Sequence, residues 1–295
     1  MKITSIFILT ATFFFLNLFV IPAYAQKDST LVKIVTKDQN EFVGKIISQD
    51  DEKIILKTDF FGELTIKKDV IIKITEIDPA KIIGGELWDD NPQATRYLWT
   101  PNGYGLKSGE GYYQNIWVLY NQVSVGLSDY FSFSFGIIPL FLFGLGLEAN
   151  PLWIVPKVSI PLEKDKVNFS GGAFMGVILG QSDSGFGIVF STLTFGDKNQ
   201  NLNLGLGWGY AGGDWADYPI INLSGMLRVT PRGYLLSENY FLNFGDDFNM
   251  TIISFGFRHM VKKVGLDFGL YIPLSSQMDE FFGFPVLGIT IPFNK

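Results

Sequence analysis

The chain of 295 residues contains no cysteine and one histidine, His259. Without cysteine there can be no disulfide, no thiolate chemistry and no lipid attachment at a mature N-terminal Cys. With one imidazole and no thiol, a soft-metal site lacks its usual ligands, and a hydrolytic triad has only a single candidate base. Charge is sparse as well: Asp, Glu, Lys and Arg make up 18% of the residues and sum to −6. Phosphate backbones call for a basic patch, so nucleic acid is not expected as a partner. Ala, Glu and Arg, which favour long helices, are scarce where Phe, Gly, Ile and Thr are plentiful. The chain is 47% hydrophobic and 16% aromatic, with 32 glycines, a composition rich in strand formers.

The first 26 residues read MKITSIFILTATFFFLNLFVIPAYAQ: Lys2, a long apolar run, Pro22, then Ala23-Tyr24-Ala25. Small residues at the first and third positions of that triplet suit a signal peptidase, so residues 1–25 are expected to be an export signal cleaved after Ala25. A retained signal anchor is the alternative. An exported chain without disulfides must be held together by burial or by a membrane.

Charge then draws a boundary near residue 90. Residues 26–90 carry 10 Lys and 14 acids, while 91–295 carry 12 Lys or Arg and 15 acids over about three times the length. In the first segment TLVKIVT, EFVGKIISQ, EKIILKT, GELTIKK and VIIKITEI alternate as short β-branched strands between polar turns. Five strands in some 50 residues, with Gly44 and Gly62 between them, resemble a small SH3-like or Sm-like β-domain.

From Ala94 onward the chain breaks into alternating segments about ten residues long, among them LWIVPKVSIPL, VNFSGGAFMGVIL, FGIVFSTLTF, NLNLGLGWGY and VGLDFGLYI. That is the length and rhythm of strands that cross a membrane as a closed barrel. The turns SDY, EKDK, GDKNQ, TPRG and VKK are tight, and the connections between them are mostly longer. Placing the tight set in the periplasm makes IWVLYNQVSVGL run inward and requires one earlier outgoing strand. TRYLWTPNGYGL, Thr95 to Leu106, fills that place and brings the count to about 12, or 10 if Pro101 disqualifies it. Tyr130, Phe131 and Tyr234 beside tight turns, and Trp208, Tyr210, Trp215, Tyr218, Phe281 and Phe282 beside longer ones, fit aromatic belts.

Through TRYLWTPNGYGLKSGEGYYQN above all, and over most of residues 91 to 295, the chain resembles a group of Gram-negative outer-membrane β-barrel proteins that carry a small N-terminal β-domain. The resemblance implies a location and a fold, not an activity. The expected organisation is a signal peptide (1–25), a periplasmic β-domain (26–90) and an up-and-down antiparallel outer-membrane barrel (91–295). Its expected partners are outer-membrane lipid and, through residues 26–90, periplasmic or envelope proteins.

Parity assigns the faces. In NLNLGLGWGY, Leu202, Leu204, Leu206 and Trp208 share one face, expected to meet lipid, and Asn203, Gly205 and Gly207 share the other. The inward parity elsewhere carries Lys157, Arg228, Arg258 and Asp267. A two-residue hairpin at Lys262-Lys263 sets Arg258 directly opposite Asp267, as an ion pair inside the lumen. In YLLSENYFLNF, Glu238 and Asn239 cannot both face inward, which leaves that register open.

No catalytic constellation stands out. His259 shares parity with Phe255 and Phe257 on the lipid-facing side, and Ser182 and Ser184 read as a solvated loop. Neither GLGWG nor GGDW precedes a helix, so neither makes a phosphate cradle. No enzyme activity and no cofactor or metal is expected. The functions this leaves are a narrow pore, a binding protein or an envelope-organising element. The alternative is passage or binding of lipid or another hydrophobic ligand, through a cavity opening sideways near IIPLFLFGLGL. A water pore needs polar residues all along the inside, and a hydrophobic tunnel needs a continuous apolar stretch there. A transmembrane helix over 131–147 is opposed by Pro139 and its glycines.

Overall fold

The computed structural model describes residues 31–293 apart from 183, 244, 246–248, 276 and 278–281. The expected export signal and Phe281 lie outside the described residues. The chain divides into two compact units, Met1–Trp88 and Asp89–Lys295.

The first unit is a five-stranded antiparallel sheet of β1 (Leu31–Thr36), β2 (Glu41–Gln49), β3 (Lys53–Thr58), β4 (Gly62–Lys67) and β5 (Ile71–Ile77), in the order β4-β3-β2-β1-β5. A two-stranded ribbon follows, β6 (Ile82–Ile83) with β7 (Glu86–Leu87). Alternation puts Val32, Ile34, Ile54, Leu56 and Ile66 into one apolar core. β2 bends where its pairing with β3 shifts between Ile46 and Ser48. Two residues before that bulge, a Cβ on Gly44 would come 2.3 Å from the carbonyl oxygen of Lys57, so this crossing admits only glycine. The β2–β3 turn is closed by Asp50, whose carboxylate accepts from the N–H groups of Glu52 and Lys53 at 2.9 and 2.8 Å. Those bonds favour the ionised carboxylate and hold its pKa below the ordinary aspartate value.

The second unit is a closed antiparallel barrel of twelve strands. They are β8 (Gly111–Ile116), β9 (Tyr120–Gly126), β10 (Phe131–Ile137), β11 (Pro151–Glu163), β12 (Val167–Ile178), β13 (Phe186–Gly196) and β14 (Gln200–Ala211). After a two-residue β15 (Asp214–Trp215) in the following connection come β16 (Ile220–Thr230), β17 (Gly233–Asn243), β18 (Asn249–Val261), β19 (Val264–Ser275) and β20 (Phe284–Phe293). Successive strands pair throughout, and β20 pairs back onto β8, with Gly288 opposite Ile116 and Phe293 opposite Gly111. Closure leaves no unpaired edge. Five tight turns share one end of the barrel with its two termini. Among the described residues no helix is long and apolar enough to cross a membrane.

The outward face is the greasy one. Leu204, Leu206 and Trp208 stand exposed on β14 with Leu202 on the same side, and Val189, Phe195, Leu223, Phe255, Phe268 and Leu287 repeat the pattern around the wall. His259 sits on this outer face, its ring stacked on Phe257. The opposite parity is buried and polar: Asn201, Asn203, Ser224, Thr194 and Ser170. Such an inversion of soluble-protein patterning is what a hydrocarbon surround requires.

Three expectations need correction. The outgoing strand assigned to Thr95–Leu106 is not in the wall, where its place is taken by β8. IWVLYNQVSVGL is not one strand: it spans the last residue of β8, a three-residue reversal at Trp117–Leu119, and β9. In that reversal Trp117 and Val118 both adopt positive φ, 52° and 66°, with no glycine present. Flanking amides compensate: Asn115 Oδ1 accepts from the Val118 N–H at 3.2 Å, and Asn121 Nδ2 donates to the carbonyls of Val118 and Leu119 at 2.8 and 2.9 Å. Tyr234, expected in an aromatic belt, instead faces the lumen and is 1% exposed, with the Arg228 guanidinium 5.3 Å from its ring centroid.

The long connection 138–150 is two short 3-10 turns, Leu140–Phe143 and Leu147–Ala149, in place of a helical span. Asn150 ties it together: its amide donates to the carbonyls of Gly146 and Leu147 and accepts from the Phe141 N–H. Phe141, Leu142, Phe143, Leu145 and Leu147 are left exposed.

Candidate functional site

The segment read as the first strand is inside the barrel. Gln93, Arg96, Tyr97, Leu98 and Asn102 are at most 1% exposed, although among residues 89–110 the only bridge is the isolated pair Arg96 with Pro101. Buried backbone without a ladder must find its partners elsewhere, and here the inner wall supplies them.

The segment enters at the tight-turn end. Arg228 of β16 donates to the Asp89 carbonyl at 2.6 Å, and Asn91 donates to the carbonyl of Lys198, in the β13–β14 turn, at 2.8 Å. It then climbs past Asn201 of β14, which accepts from the Tyr97 hydroxyl at 2.6 Å. Its tip is Trp99-Thr100, whose backbone N–H groups both donate to Glu238 Oε2 of β17, at 2.9 and 3.0 Å. It returns along β12 and β13, where the Ser170 hydroxyl donates to the Asn102 carbonyl and the Gly103 N–H donates to Thr194 Oγ1. Lys157 of β11 donates to the Tyr104 carbonyl at 2.7 Å. Both limbs belong to the tight-turn half of the lumen, so residues 89–106 form a re-entrant plug.

A buried ionic group locks plug to wall. The Arg258 guanidinium donates to Asp267 through Nε at 2.5 Å and Nη2 at 3.0 Å, in the register expected for the Lys262-Lys263 hairpin. The same carboxylate accepts from Arg96 of the plug at 3.0 Å. Arg258 further donates to the carbonyls of Gln93 and Tyr97, and Arg96 to Thr290 and the carbonyls of Tyr97 and Leu98. One carboxylate between two guanidiniums leaves positive charge, which the plug carbonyls screen.

The structure thus places Lys157, Arg228, Arg258 and Asp267 on the inner face, and it brings Arg258 and Asp267 together. Sequence reasoning missed Arg96, whose partners lie 171 and 194 residues away, and left Glu238 undecided. Glu238 points inward and is fully buried, accepting from Tyr240 and Tyr271 as well as from the plug. Asn239 takes the outer face with its amide bonded to the Leu223 carbonyl, the Ser237 hydroxyl and the Ser254 N–H.

Beside the plug lies a cavity of about 330 Å³. The tip residues Trp99, Thr100 and Pro101 form part of its wall, and Val155, Phe174, Ile188, Phe190, Ile220, Leu242 and Ile252 give it an apolar lining. Ser124, Ser132, Ser134 and Thr192 supply hydroxyls. Rings tile the approach: Trp99 meets Tyr120 and Phe174 edge-on, and Trp153 stacks between Tyr120 at 4.8 Å and Phe174 at 5.6 Å. The volume and lining suit one small, mostly apolar molecule. Among the described residues no group of three or more His, Asp or Glu side chains could hold a metal ion.

Fold and lumen together define the class: a transmembrane β-barrel with an internal plug. No protein-family model and no curated protein matches the chain. Among solved structures it is similar to the NanC porin, at 10% identity and TM-score 0.39, covering 63% of this chain and 98% of that one. It is similar too to the OmpTdeltaL8 loop-deletion mutant of OmpT, an outer membrane protein of Vibrio cholerae, at 10% identity and TM-score 0.37, covering 90% and 96%. Outer-membrane expressed OmpT of Vibrio cholerae gives 10% identity and TM-score 0.35, covering 92% and 100%.

Proposed function

We propose that this chain is an outer-membrane barrel that does not act as a standing pore, and that it receives a small, partly apolar molecule into the cavity beside its plug. The observation that carries this reading is the plug itself, tied across the lumen to ten of the twelve strands from β8 to β20. The inner face supports it: a water pore wants polar residues throughout, yet Val155, Phe174, Ile188, Phe190, Ile220, Leu242 and Ile252 give the cavity wall a large apolar share. In this reading the tight turns and both barrel ends lie in the periplasm, with the sheet of residues 31–77 as an SH3/Sm-like module available to envelope proteins. No catalytic role is assigned.

The test is conductance. The full chain reconstituted in a planar bilayer is expected to give no steady open-channel current, and to show current steps when Arg96→Ala loosens the plug. A large, stable conductance in the unaltered protein would refute the closed-barrel reading. Fractionation with a gel run before and after boiling checks location and barrel state together.

A further inference from the structure

Among the described residues, every lumenal charge but one is answered by a counter-charge or by several hydrogen bonds. Arg96 and Arg258 share Asp267, Glu238 accepts from hydroxyls and plug amides, and Arg228 donates to the carbonyls of Asp89 and Pro231. Lys157 is the exception. It is 7% exposed on the inner face of β11 and lines the cavity. Among the described residues its ammonium makes one hydrogen bond, to the Tyr104 carbonyl, and pairs with no carboxylate. An ammonium has three donors, and a buried cation without a counter-ion is costly.

The surroundings leave room for a counter-ion. Ser132 is directly opposite Lys157 on β10, and the hydroxyl-bearing face continues to Ser134. On the other side its partner is Gly172, where a Cβ would meet the Phe190 ring at 2.9 Å. That missing side chain lets the ring pack alongside the lysine position. Of the two cations that line the cavity, Arg96 is paired with Asp267, which leaves Lys157 as an unanswered cation beside hydroxyls and an apolar, aromatic remainder.

Resting on the cavity reading above, we infer that the molecule taken up is a monocarboxylate with an apolar body, its carboxylate held by Lys157 with Ser132 beside it. The buried ammonium gains its counter-ion only when the cavity is filled. Charge selects the head and the rings of Phe174, Phe190 and Trp99 hold the body.

The experiment compares 2-naphthoate with its neutral counterpart 2-naphthylmethanol, by titration of the full chain in lipid nanodiscs with protein-free nanodiscs as blank. Naphthoate is expected to bind about ten-fold or more tightly than the alcohol, the scale of one charge-assisted hydrogen bond. Lys157→Met is expected to abolish that preference. Equal affinities in the unaltered protein, or a preference that survives Lys157→Met, would overturn the inference and leave the cavity reading standing. Failure of both probes to bind at millimolar concentration overturns both. The comparison within the unaltered protein decides the matter even if the variant does not fold.

Discussion

Replacing Asp267 by alanine removes the carboxylate that joins Arg96 of the plug to Arg258 of the wall. Three charge-assisted bonds are lost, from Arg258 Nε at 2.5 Å, Arg258 Nη2 at 3.0 Å and Arg96 Nη1 at 3.0 Å, and two guanidiniums are left buried without a counter-ion. Breaking a buried pair by removing one partner costs about 3–5 kcal/mol. If roughly half of that falls on the plug, about 2 kcal/mol, the undocked population rises about 30-fold. The chain has no native cysteine, so Ala94→Cys, at a buried plug position, provides a single reporter. Its maleimide labelling is expected to be slow in the otherwise unaltered protein and about 30-fold faster with Asp267→Ala, while the heat-dependent gel shift of the barrel persists. Arg96→Met alone should raise labelling less, because Asp267 keeps Arg258. Unchanged labelling in a folded Asp267→Ala barrel would refute the assignment of this ionic group as the lock.

Three further outcomes follow from geometry. Val118→Gly relieves a β-branched residue at φ 66° and is expected to stabilise the β8–β9 reversal by about 1 kcal/mol, seen as slower amide exchange there. Gly44→Val drives a side chain onto the Lys57 carbonyl, 2.3 Å from an ideal Cβ. It is expected to destabilise the first unit by about 1–3 kcal/mol, read as lost amide protection in β2 and β3 with the barrel's gel shift unaffected. Leu204→Arg, on the exposed outer face midway along β14, should cost about 2–4 kcal/mol of barrel stability if that face meets hydrocarbon. Equal stability of the arginine variant in bilayers would mean that the face is wet.

Most of the long strands from β11 to β20 were legible because they repeat large apolar against small or polar residues with period two and end at tight turns; β17 departs from that repeat at Glu238-Asn239. The Arg258–Asp267 pair was legible for the same reason: the two-residue turn fixes the register that puts them opposite each other. The plug was not. TRYLWTPNGYGL has the length and aromatic content of a strand, and what makes it a plug is a set of partners more than 60 residues away in sequence. Pro101, Asn102 and Gly103 in sequence were its one local mark. β8 was hidden by a turn without turn residues, since Trp117 and Val118 hold positive φ through amides placed on the strands beside them. Glu238 could be placed only once the plug amides it accepts from were known.

The plug enters and leaves the barrel by the same mouth: Asp89 and Asn91 bond at the tight-turn end, and the Tyr104 hydroxyl donates to the Gly196 carbonyl there too. Nothing is threaded. Its withdrawal would break side-chain bonds but no strand pairing, so the wall need not open sideways for the passage to clear. The covalent leash on one limb is residue 88, the last of the first unit, so tension on that unit would be delivered to the plug before it reached any strand.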